Sequence, residues 1–155
     1  PIQTKMKKFK KTLNRLSFSY EIQNEPEEVN CSDVEIVVIT GLGFLNFAYS
    51  VSDLCFVGGG FLPGRGGQNP IEPLNFKKPV FFGRHMDHFR WACAPLLQVN
   101  GAKMIDTGAF SIQLKKYQTE PQAFTEMGMR GYHLLEENCG NLEKLWQAVM
   151  ADESQ

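Results

Sequence analysis

No acidic residue precedes Glu21, so the charge of the first twenty residues is of one sign and unevenly placed along the chain. Cysteines are few and scattered. Cys31, Cys55, Cys93 and Cys139 form no C-x-x-C pair, which argues against a zinc ribbon or a dithiol redox motif and for buried thiols in a reducing compartment. No apolar run approaches the roughly 18 residues that span a bilayer. The basic start also lacks the apolar stretch of a secretory signal, so a soluble chain facing the cytoplasm is expected. The catalytic signatures that would be easiest to read are missing too. No G-x-G-x-x-G follows a strand, no Gly-Lys-Ser/Thr closes a phosphate loop, and there is neither a G-x-S-x-G turn nor an Asp-x-Asp pair. The formal net charge of −1 gives no reason to expect a nucleic-acid partner.

What is present fits one compact domain over 1–155, with 43% hydrophobic and 21% charged residues. Lys5, Lys7, Lys8, Lys10, Lys11 and Arg15 surround an apolar stripe of Met6, Phe9, Leu13 and Leu16, a spacing that predicts an amphipathic helix. A docked surface helix with a solvated basic face is the expected placement, and peripheral membrane contact is the alternative. Phe18 to Gln23 alternates weakly, and Glu25, Pro26, Glu27 and Glu28 read as an acidic turn. Strands are expected at Ile36–Ile39, Leu54–Val57, Val80–Phe82 and Lys103–Ile105. Between them fall helices over Phe44–Ser50, from Pro70, and over Phe89–Val99. From Thr107 the chain reads as helical, with a break near Pro121 and a final helix capped by Asn141. Short apolar strands alternating with helices predict an α/β fold, a doubly wound parallel sheet with a helical C-terminal tail. Ligands of such sheets sit beyond the carboxyl ends of the strands.

The segment Gly58-Gly59-Gly60-Phe61-Leu62-Pro63-Gly64-Arg65-Gly66-Gly67-Gln68-Asn69-Pro70-Ile71-Glu72-Pro73 falls in such a place. Its small residues let backbone N–H groups approach an anion closely. Asn69 suits the cap position of the next helix, Pro70 its first position and Glu72 its third. That spacing fits an anion-binding helix start, and it equally fits a capping box in which Glu72 only reaches back to Asn69. Arg65 is expected at a solvated loop position, with a role as an additional cation the alternative. His85, Asp87 and His88 lie close together but lack the third or fourth ligand a zinc site needs.

The ordered set Phe56 to Gly59, Gly66 to Glu72 with Pro73, Pro79-Val80, Gly83 and Phe89, followed by Met127 to Leu145, resembles the 3-deoxy-D-manno-octulosonic acid (Kdo) transferases of lipopolysaccharide assembly. The resemblance runs from about Ile39 to Met150. It implies the Rossmann-like carboxyl-terminal half of a GT-B glycosyltransferase, the half that binds CMP-Kdo. It further implies a chain without its first strand-helix unit and without the amino-terminal acceptor domain. The nucleotide contacts it implies are Gly66, Gly67, Gln68, Asn69, Pro70, Ile71 and Glu72, with the Glu72 carboxylate accepting from the ribose hydroxyls. Leu42, Gly43 and Phe44 match the family's Met-Gly-Glu turn, with only the glycine retained. Thr40, Gln68, Arg84 and His88 also stand where the family pattern has other residues.

The activity so implied is transfer of Kdo from CMP-Kdo to a lipid A precursor at the cytoplasmic face of a bacterial inner membrane. It needs no metal or other cofactor, and no catalytic residue lies in this chain. A GT-B enzyme with a uridine-nucleotide donor, or a degenerate nucleotide-binding module without catalysis, are the alternatives.

Overall fold

The computed structural model describes residues 2–24 and 33–139. The acidic turn at Glu25 to Glu28, Cys31, the side chain of Cys139 and the helix expected from Asn141 lie outside the described residues. The chain divides into two compact units, Pro1–Leu45 and Asn46–Gln155.

In the first unit, α1 (Ile2–Arg15) forms where the stripe predicts a helix, but Phe9 and Leu16 of that stripe are exposed and Leu16 lies past the helix end. Leu13 is buried, while Lys7, Lys8, Lys10 and Lys11 are exposed, so the basic face is solvated. Ser17, at φ 58°, ends the helix, and the Phe18 N–H donates to the Leu13 carbonyl at 3.3 Å. β1 (Tyr20–Gln23) then pairs in parallel with β2 (Ile36–Ile39), Tyr20 opposite Ile36. The start of the pair is fastened by hydrogen bonds between Ser19 and Glu35, among them one from the Ser19 hydroxyl to the Glu35 carboxylate at 3.1 Å. The Ser19 N–H donates to the Glu35 carboxylate at 2.9 Å, and the Glu35 N–H donates to the Ser19 hydroxyl at 3.0 Å.

In the second unit β3 (Cys55–Val57), β4 (Val80–Phe82) and β5 (Ala102–Met104) form a parallel sheet in that order. The expected strands fall at these places to within a residue at either end. β4 is central, and all three of its residues are buried. Because strand side chains alternate between faces, Val80 and Phe82 enter one core with Val57, Leu74, Cys93 and Leu96. Phe81 enters the other, with Ile105, Phe124 and Met127. The sheet is thus covered on both faces, as a parallel sheet requires, and the α/β expectation holds. α2 (Leu45–Val51), α3 (Arg90–Gln98), α4 (Phe110–Thr119) and α5 (Pro121–Cys139) supply the helices. Pro121 opens α5 where its missing N–H costs nothing. Among the described residues no helix is long and apolar enough to cross a membrane.

Candidate functional site

Beyond the carboxyl end of β3 the glycine segment folds back on itself. The Gln68 N–H donates to the Gly58 carbonyl at 3.0 Å, closing the loop. A second loop, from Gly83 to His88 after β4, packs against it. The His85 N–H donates to the Gly60 carbonyl at 2.8 Å, and the His88 N–H donates to the Gly66 carbonyl at 3.0 Å. This approach needs glycine on both sides, since a Cβ on Gly83 would strike the Gly60 backbone. Gly66 and Gly67 adopt φ of +73° and +84°, a region that side chains rarely enter. Both are buried. Among the described residues nothing accepts a hydrogen bond from either N–H, and orphaned buried donors are rare enough to need an explanation.

Asn69 and Glu72 are joined, but not as a capping box. The Asn69 side chain accepts from the Ile71 N–H at 3.0 Å and donates from its amide to the Glu72 carboxylate at 3.0 Å. The helix expected to open at Pro70 begins instead at Glu72, as a five-residue 3-10 helix, Glu72–Phe76. Pro73 has no N–H to return to the Asn69 carbonyl, which removes one α-helical bond. Lys77 then stops the turn in the left-handed region at φ 58°. So short a helix brings no sizeable dipole to an anion, and the donors on offer are those of the loop itself.

Pro70 is buried, Ile71 and Glu72 are half-buried, and Gln68 and Arg65 are exposed. Tyr49 on α2 lies beside Glu72. Burial raises the Tyr49 pKa, and the Glu72 charge raises it further. Phe76, on the same 3-10 helix, meets the Tyr49 ring at 6.3 Å between centroids. Leu42, Gly43 and Phe44 belong to the first unit, in the turn between β2 and α2. There Leu42 is 97% exposed and Gly43 has φ +90°. Among the described residues no three His, Cys, Asp or Glu side chains gather as a metal-ion set. Asp87 is instead paired with Arg90 at 2.7 Å.

Sequence reasoning placed the glycine loop but missed its neighbour. The contact of Gly83 to His88 with that loop is tertiary, and the one local hint was a glycine directly after a buried strand.

No family model matches the chain. A 3-deoxy-D-manno-octulosonic acid transferase of Haemophilus influenzae is 30% identical over 126 residues, 80% of this chain and 29% of that protein. The chain is homologous to the Kdo transferases. One from Chlamydia pneumoniae is 30% identical over 153 residues, 94% of this chain and 33% of the relative. The chain therefore spans about a third of the length of these curated Kdo transferases. Among solved structures, the C-terminal CMP-Kdo binding domain of WaaA from Acinetobacter baumannii matches with a TM-score of 0.68 at 20% identity. The match covers 79% of this chain and 64% of that one, and it establishes the likeness of fold.

Proposed function

We propose that this chain is the donor-nucleotide half of a GT-B Kdo transferase, holding the CMP of CMP-Kdo on the loop Gly66 to Glu72. The full enzyme would pass Kdo to a lipid A precursor at the cytoplasmic face of the inner membrane. The observation that carries this reading is the pair of orphaned N–H groups at Gly66 and Gly67, beside the Asn69–Glu72 clasp and at the carboxyl end of a parallel strand. The kinship with Kdo transferases supports it.

In this reading the loop N–H groups accept the growing negative charge of the departing CMP, a stabilisation that needs no proton transfer. The Glu72 carboxylate, oriented by the Asn69 amide, accepts from the ribose hydroxyls. This chain offers no general base for the acceptor hydroxyl, and that role would fall to another domain.

The test is a titration of the chain with CMP, and with UMP as comparator, followed by backbone amide shifts. CMP should move the signals of Gly66, Gly67, Asn69 and Glu72, and UMP should not. Glu72→Gln should weaken CMP binding by about 10- to 100-fold, the range for a hydrogen bond to a charged group. Tighter binding of UMP than of CMP would favour a uridine-nucleotide donor. A well-folded chain that binds neither would sink the reading.

A further inference from the structure

The cations around the glycine loop are not equally available. Arg84 is held by Asp106, and Arg90 by Asp87. Arg65 stands exposed at the tip of the loop. His88 differs from all three. Its backbone N–H is anchored on the Gly66 carbonyl at 3.0 Å, and its ring lies directly over the Gly66 α-carbon, where a Cβ would collide with the imidazole. The ring therefore lies against one of the two residues with an orphaned N–H. Yet it remains exposed, and among the described residues no side chain or carbonyl pairs with either ring nitrogen.

We propose that His88 is a further donor-binding residue, whose imidazole N–H takes a phosphate oxygen of the nucleotide held by Gly66 and Gly67. The assignment rests on the donor reading above and adds to it a second wall, contributed by the loop after β4. The short His88 side chain, on a backbone already held to Gly66, has less freedom to lose on binding than the long, solvated Arg65. Phosphate takes donors from several directions at once, which suits a site with peptide N–H groups on one loop and an imidazole on the other. Donors of this kind also stabilise the charge that remains on CMP when the sugar leaves.

The experiment compares CMP with cytidine, which lacks the phosphate, on the unaltered chain, on His88→Ala and on His88→Gln. The assignment expects His88→Ala to weaken CMP by about 10-fold or more, the cost of losing a bond to a charged group. Cytidine should change by less than about 2-fold, a margin below one hydrogen bond. His88→Gln, which keeps an N–H donor, should restore part of the loss. An equal loss for CMP and cytidine would overturn the assignment, because His88 would then merely shape the Gly66 backbone. CMP binding unchanged in His88→Ala would overturn it as well. Failure of the unaltered chain to bind CMP would remove the donor reading itself, which separates the two failures.

Discussion

Each of the two parallel sheets holds one wholly apolar strand, β2 in the first and β4 in the second, and the two are covered very differently. In β2 the run Ile36-Val37-Val38-Ile39 is half-buried at every position, whereas in β4 Val80-Phe81-Phe82 is wholly buried. Sequence alone does not separate these strands. The difference lies in what surrounds them. β4 has a hydrogen-bonded neighbour on each side and a packed core on each face, while β2 pairs only with β1 among the described strands. Apolar surface stabilises in proportion to the area removed from water. The second unit should therefore hold most of the chain's stability, and the first should open at lower cost.

The largest effect should come from a deletion in the second core. Phe81→Ala should cost about 3–5 kcal/mol, the range for removing a buried aromatic ring. Val38→Ala, in the half-covered strand, should cost about 1 kcal/mol. Denaturant unfolding, with amide exchange followed separately in each unit, measures both. Equal costs would end the comparison, since they would mean that β2 is as well packed as β4.

A middle-sized effect distinguishes glycines with the same backbone need and different surroundings. Gly67 has φ +84°, and a Cβ there would run into Met86. Gly43 has φ +90° with nothing within 4 Å. Gly43→Ala should therefore show only the conformational cost, about 1 kcal/mol. Gly67→Ala should add a clash and cost more than about 2 kcal/mol, with the CMP shifts at Gly66 and Asn69 lost. If both cost the same, the Met86 side chain swings aside to admit the methyl group, and it does not hold the glycine loop in place.

The strands and the glycine loop were legible because their signals are local. Val80–Phe82 is a short apolar run bounded by Pro79 and Gly83, and it stands where the pattern put it. The last strand lies one residue early, at Ala102–Met104, because register depends on the partner, here Val80 opposite Ala102. The helix after Asn69 was misread for a different reason. Its caps and its proline at the first position look α-helical, but a second proline three residues later leaves too few N–H groups for that ladder. The weakly alternating Tyr20–Gln23 gives no sign that it is the parallel partner of β2. Nor, beyond the glycine at 83, does any residue in Gly83 to His88 announce that it will lie against Gly58 to Gly67. Such contacts are set by how the sheet is covered, which composition and spacing record only in aggregate.

The smallest effect concerns charge and sharpens the contrast between the units through pH. Both described thiols, Cys55 and Cys93, are buried in the second unit. Burial raises the Cys93 pKa from its ordinary value of 9.0 to about 11. Below pH 9 the thiol is protonated in folded and unfolded chains alike and contributes no pH dependence. Between those two values the unfolded chain releases its proton while the folded chain keeps it, so the unfolded state binds fewer protons and stability falls as pH rises. Above the folded pKa the decline from this group levels off. Cys93→Ala should remove that decline, so that the stability difference between variant and unaltered chain is constant up to about pH 9 and narrows beyond it. Amide exchange across this pH range should show the change in the second unit, at Leu96 and Phe82 in the same core, and not in β1 and β2. A difference that stays flat through the alkaline range would mean that the Cys93 thiol is open to water, and that the face of the sheet covered by α3 is less closed than its packing indicates.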